Sequence, residues 1–185
     1  YKNSILNKEN FWNEKAKRIE WIQKWDKTYN YDFTNGNIKW FENGKLNVSY
    51  NCLDRHVNSG NGKKIAIIWE GNNPNEQKTF TYSELLKEVK KFSNVLKNNG
   101  IRKGDRICLY LQMIPELPIS MLACARIGAI HSVVFGAFSS DSLRDRINDS
   151  NCKMLITQDF GVRGNKENIP MKENADVALN KTKSI

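Results

Sequence analysis

The stretch 105-DRICLYLQMIPELPISMLACARIGAIHSVVF-135 decides the fold. It opens on the apolar run "ICLYL" and closes on a second one, "IHSVVF". Neither alternates polar with apolar residues, the pattern of strands covered on both faces. Between them "MIPELPISMLACARIGA" is apolar, long enough for a helix, and ends on a glycine. Two strands joined through a helix must pair in parallel, with a right-handed crossover.

The same alternation extends outward. Downstream, "SSDSLRDRINDSN" reads as a helix with Ser139 or Ser140 as its N-cap, and "CKMLIT" as a strand. Upstream, "KIAIIWE" reads as a buried strand and "KTFTY" as a shorter one. Thr81 and Glu84 form a capping box before a helix carrying Leu85, Leu86, Val89, Phe92, Val95 and Leu96 on one face, which stops at Asn99-Gly100. Three strand–helix–strand steps in succession give the fold class: α/β, a largely parallel sheet flanked by helices, over residues 64–185. The sheet's last strand leaves an open apolar edge. The polar tail begins another helix at "NADVALNK".

Residues 1–63 are a lobe of different character, rich in aromatic residues. Phe11, Trp12, Ala16, Ile19, Ile22 and Trp25 recur at helical spacing, which predicts one amphipathic helix whose aromatic face docks on a larger surface. Aromatics interleaved with lysines also suit stacking on single-stranded nucleic acid; the helical period favours packing. "NYDFTNGNIKWFENGKLN" reads as loops and a short hairpin around Asn35-Gly36 and Asn43-Gly44. "SYNCLDRHVN" reads as a short helix with Cys52, Leu53 and Val57 inward and His56 as a structural hydrogen-bonder.

Composition sets the outer limits. The chain has 185 residues and a formal charge of +9, which favours anionic partners, although the lysines are spread along it. The four cysteines form no CxxC pair. Cys108, Cys124 and Cys152 lie in apolar stretches, so a zinc site is not expected, and a reducing compartment, the cytoplasm, is. No apolar run reaches the roughly 18 residues of a membrane span, and no secretory pattern opens the chain. "SGNGKK" lacks the P-loop spacing and precedes a strand; GxSxG, HExxH and GxGxxG are absent. Ser139, His131 and Asp141 have no triad spacing. No catalytic constellation emerges from these residues.

Ligands of open α/β sheets bind beyond the carboxyl ends of the strands. Three loops lie there: "QMIPE", "FGAFSS" and "DFGVRGNK". "FGAFSS" leads into a helix N-terminus, which attracts anions, but many βα turns look alike. "DFGVRGNK" adds charge: Arg163 offers a planar fork and Lys166 a mobile point charge, three residues apart as in one helical turn. Gly161 and Gly164 let the backbone approach a ligand or take a positive φ. On the residues alone, a grip for an anion and a solvated turn stand level.

"NVSYNCLDRH" and "MLACARIGAIHSVVFGAFS", together with "FWNEKAKRIEW", "KIAIIWEG" and "TYSELL", resemble in order and spacing the N-terminal part of AMP-forming acetyl-coenzyme A synthetases, over essentially the whole chain. The resemblance implies an acetate–CoA ligase of the adenylate-forming superfamily. Such enzymes convert acetate, ATP with Mg2+, and coenzyme A to acetyl-CoA, AMP and pyrophosphate through acetyl-AMP. It implies small-molecule partners, with no nucleic acid and no membrane. It further implies that Arg163, Gly164, Asn165 and Lys166 bind coenzyme A, with Arg163 and Lys166 holding the phosphates of its nucleotide end. Phe135 and Ala137 would lie beside the same nucleotide, Ala137 standing where many relatives have a second glycine. The family's phosphate loop, acetate pocket, adenine and ribose motifs, hinge, adenylation lysine and Mg2+ site have no counterpart in residues 1–185. With Tyr rather than Met at position 1, that leads to the expectation of an N-terminal fragment, inactive alone. The alternatives are a propionate–CoA ligase fragment and a non-catalytic module that binds coenzyme A.

Overall fold

The computed structural model describes residues 1–185. Two short helices, α1 (Lys2–Leu6) and α2 (Lys8–Ala16), precede an antiparallel hairpin of β1 (Lys27–Asp32) and β2 (Asn37–Glu42). Two π-helical segments, Tyr50–Asp54 and Val57–Asn61, lead to a second hairpin, β3 (Ile65–Glu70) and β4 (Gln77–Thr81). Then follow α3 (Tyr82–Asn98), β5 (Arg106–Leu111), α4 (Glu116–Ile127), β6 (Ile130–Phe135), α5 (Ser140–Ser150) and β7 (Met154–Thr157). A small hairpin, β8 (Gly161–Arg163) and β9 (Lys166–Ile169), and α6 (Met171–Leu179) complete the chain.

The centre is a parallel sheet of order β6-β5-β7. Side chains alternate across a strand, so β5 feeds two cores. Ile107, Leu109 and Leu111 join Leu85, Leu86, Val89 and Leu96 of α3 and Leu117, Ala123 and Cys124 of α4. Cys108 and Tyr110 join Leu143 and Ile147 of α5 and Met171, Ala175 and Ala178 of α6. The α/β reading therefore stands, with helices on both faces. The local stops are where the sequence puts them. Thr81 Oγ1 accepts from the Glu84 amide at 3.2 Å while Glu84 Oε2 accepts from the Thr81 amide at 2.8 Å. Ser139, not Ser140, caps α5.

Three expectations about the sheet need correction. β3 is not a buried strand of it: Ile68 is 71% exposed, and β3 pairs only with β4. The short link between them, residues 71–76, is too short for a crossover and forces a hairpin. The step from β4 through α3 to β5 is not a parallel unit, because β6 and β7 already occupy both sides of β5. β6 is not covered on both faces either. It forms one edge, with Phe135 63% exposed and Ile130 and Val133 also open, while β7, the sheet's last strand, is the other edge and is half-buried.

The amphipathic helix expected to run through Trp25 ends at Ala16. More distant groups compete for its backbone and win. The Trp21 indole donates to the Ala16 carbonyl at 3.0 Å. The amides of Ile22 and Gln23 donate to the Lys45 carbonyl, and the Asn51 carboxamide holds both backbone groups of Glu20 at 2.8 and 2.9 Å. The aromatic rings close on one another instead of on the sheet. Trp25 meets Trp21 at 4.8 Å and Phe41 at 5.1 Å, and Trp12 meets Trp40 at 5.7 Å. The hairpin around Asn35-Gly36 forms as expected. In the next helical stretch Leu53 is buried, but Cys52 is exposed, and the His56 ring packs on Tyr82 instead of hydrogen-bonding. Cys108, Cys124 and Cys152 are buried and free.

Candidate functional site

The carboxyl ends of β5, β6 and β7 open into a cavity of about 1160 Å³. Trp69, Gln112, Phe135, Ala137, Arg163, Asn165 and Lys166 are among its lining residues. Five of the six positions singled out in the sequence thus meet on one cavity, and Gly164 sits between two of them at the hairpin tip.

"DFGVRGNK" is neither a loop nor a helical turn. Arg163 and Lys166 are register partners across the β8–β9 hairpin, joined by Gly164 and Asn165. Cross-strand partners lie on the same face, so the two cations stand side by side for a reason the helical spacing did not supply. Gly164 has φ 56°, the left-handed conformation that suits glycine in a two-residue hairpin turn. A bulge follows, with Asn168 at φ 59°. Arg163 and Lys166 are exposed and make no ion pair.

Two carboxamides hold this hairpin, and sequence reasoning missed both. At its base, Gln112 Oε1 accepts from the Val162 amide at 2.9 Å, while the Gln112 amide donates to Gln158 Oε1 at 2.8 Å. The Gln112 side chain lies between two buried glycines. A Cβ on Gly161 would come within 2.5 Å of Gln112 Nε2, and one on Gly136 within 3.1 Å of Gln112 Cγ. Gly161 therefore makes room for Gln112, not for a ligand. At the tip, Asn72 Nδ2 donates to the Gly164 carbonyl at 2.9 Å and Asn72 Oδ1 accepts from the Gly164 amide at 3.0 Å. No local motif flags a contact that spans 92 positions.

The opposite wall is the turn after β6. Phe135 presents its ring to the cavity and meets Phe138 edge-on at 6.1 Å. From below, the Tyr110 hydroxyl donates to the Phe138 carbonyl at 2.9 Å, and burial pushes that hydroxyl's pKa up, keeping it a donor. The added methyl of Ala137 is exposed on the rim, so it does not crowd the turn itself. The arrangement combines an open aromatic face, two unpaired cations and a polar floor, which suits an anionic nucleotide. No group of three or more His, Cys, Asp or Glu side chains converges to hold a metal, and no helix is long and apolar enough to cross a membrane.

The comparisons agree along the chain's length. Residues 1–52 match the family model described as acetyl-coenzyme A synthetase N-terminus, and residues 53–184 match the one described as AMP-binding enzyme. An acetyl-coenzyme A synthetase of Rubrobacter xylanophilus is 57% identical over 185 residues, all of this chain and 28% of the relative. That of Magnetococcus marinus is 54% identical over 180 residues, and acetyl-coenzyme A synthetase 2 of Pseudomonas aeruginosa is 52% identical over 180 residues; each match covers 97% of this chain and 28% of the relative. The chain thus spans little more than a quarter of the curated relatives it matches. Its α/β layer and the lobe before it are both accounted for by these matches, and the chain belongs to the AMP-binding enzyme family, with the acetyl-coenzyme A synthetase N-terminus at its front.

Proposed function

We propose that this chain is the N-terminal part of an acetate–CoA ligase, and that the cavity receives the nucleotide end of coenzyme A. The whole protein would join acetate to ATP as acetyl-AMP, release pyrophosphate, and pass the acetyl group to the coenzyme A thiol with loss of AMP. The observation that carries the proposal is the pair of unpaired cations at the β8–β9 tip, facing the same cavity as Phe135. Arg163 would take phosphate oxygens through its fork and Lys166 through a single charge. Phe135 offers a face for the adenine, and Asn165, between the two cations on the opposite wall, a polar group. Gly164 would serve through the turn, because Asn72 already takes both of its peptide groups. ATP, with its Mg2+, and acetate would bind to parts of the protein outside residues 1–185. The four free cysteines, three of them buried, support a reducing compartment such as the cytoplasm.

The test is Arg163→Ala in the full-length protein. The loss of one charge-assisted phosphate contact, on the order of 1.5–3 kcal/mol, raises KM for coenzyme A about 10- to 100-fold. Acetate-dependent ATP–pyrophosphate exchange, which needs no coenzyme A, stays near the wild-type rate. An unchanged KM for coenzyme A would overturn the assignment.

A further inference from the structure

Hairpins this short have little stability of their own, and Arg163 and Lys166 stand on strands of three and four residues. Both cations are exposed and long, so a phosphate could order them only at a cost in side-chain entropy. Something has to fix their backbone in advance. The Asn72 carboxamide faces Gly164 as another peptide unit would, with its donor on the carbonyl and its acceptor on the amide.

The loop that supplies Asn72 is itself held. Gly71 donates to the Glu76 carbonyl at 2.7 Å, and Glu76 donates to the Asn73 carbonyl at 2.9 Å. Behind them the Trp69 indole donates to the Met113 carbonyl at 2.7 Å, anchoring β3 to the segment after β5. The chain from Trp69 to Asn72 is thus anchored at one end to the segment after β5 and bonded at the other to the tip between the two cations. Space does not explain the contact, since nothing lies within 4 Å of where a Gly164 Cβ would be. Asn72 instead fixes the peptide that sets the direction of both strands.

We propose that Asn72 is a positioning residue for the phosphate grip, holding the β8–β9 tip so that Arg163 and Lys166 are preorganised for the nucleotide end of coenzyme A; this rests on the function proposed above. Asn72 itself need not touch the ligand. It acts through the tip, and its effect must depend on the cations being present.

A double-mutant cycle in the full-length protein tests this. Asn72→Ala alone is expected to raise KM for coenzyme A about 5- to 20-fold. Asn72 is exposed, so ATP–pyrophosphate exchange and the melting temperature should not move. Added to Arg163→Ala, the same substitution is expected to raise KM by less than half of its effect alone, because the group it positions is gone. Equal effects in both backgrounds would overturn positioning. A parallel loss of exchange activity would reduce Asn72 to a general structural role and overturn it as well. If Arg163→Ala raises KM and Asn72→Ala does not, the inference fails and the site stands. If neither moves KM, the site assignment fails and takes the inference with it.

Discussion

The aromatic lobe and the α/β layers are held together by different means. In residues 1–45 only Ala16, Trp25 and Thr28 are buried, while Trp12, Trp40, Tyr31 and Phe33 stay open. The lobe is built from ring contacts and a few long-range backbone bonds. The α/β part buries two apolar clusters, of 13 and 9 residues, on either side of β5. The first of them includes Leu53, so it reaches back past the β3–β4 hairpin into the π-helical stretch but not to β1–β2. The difference suggests two levels of stability, a deep one at β5 and a shallow one at β1–β2.

The most severe way to break this comparison is Leu109→Ala. Leu109 is fully buried at the middle of β5, in register with Val133 on one side and Ile156 on the other. The expected loss is about 3–5 kcal/mol, a large share of a domain's net stability. Urea unfolding should show it as a lower midpoint. Hydrogen exchange should accelerate through β5, α3 and α4, while β1–β2 amides, if they exchange by local opening, change little. Equal acceleration in β1–β2 would mean that the two regions unfold as one unit.

The same division governs what could be read from sequence. The β5–α4–β6–α5–β7 series was legible because its apolar runs, caps and helix stops are local signals. The end of α2 was not, because its competitors, Lys45 and Asn51, lie some 20 to 30 positions along the chain. The edge position of β6 depends on the order in which strands assemble, which no single strand encodes. In the cavity, Arg163 and Lys166 announced themselves by charge, whereas Phe135 and Ala137 came only through family resemblance. Gln112 and Asn72 were invisible, being ordinary polar residues until the fold brings them to a backbone they can mimic.

A milder prediction concerns the junction. Arg126 of α4 grips Asp54 of the π-helical segment with two hydrogen bonds, at 2.6 and 2.9 Å, across 72 positions. Nearby, Asn47 Nδ2 donates to the Ala125 carbonyl at 2.9 Å. Asp54→Ala leaves Arg126 partly buried without its partner, and the expected loss is on the order of 1–3 kcal/mol. Burial pushes the Asp54 carboxyl up, but hydrogen bonding and charge from Arg126, helped by Lys90, outweigh it and leave the pKa below its usual value. A carboxyl depressed in the folded state contributes stability above its unfolded pKa, about 4, and loses it as pH falls through the folded value. The melting gap between wild type and Asp54→Ala should therefore stay constant from pH 8 to about 5 and narrow below about 4. A gap that persists undiminished at pH 3 would mean that the pair is not held by the ionised carboxylate.

The smallest expected effect tests the shallow side directly. The Lys8 ammonium, at the start of α2, lies 4.8 Å from the Tyr29 ring centre, 4.4 Å from that of Tyr31 and 5.6 Å from that of Trp40. Tyr29 and Tyr31 stack at 5.5 Å, so one cation covers a continuous aromatic surface and ties α2 to the β1–β2 hairpin. At an exposed site such a contact is worth about 0.5–1 kcal/mol. Lys8→Ala should then speed hydrogen exchange in β1–β2 about 2- to 5-fold and leave β5 untouched, and Lys8→Arg should restore the protection. Faster exchange at β5 as well would show the lobe supporting the sheet it is joined to. No change in β1–β2 would mean that the rings hold the lobe without the cation, since Trp25 packs on Trp21 and Phe41 far from Lys8 in sequence and independently of it.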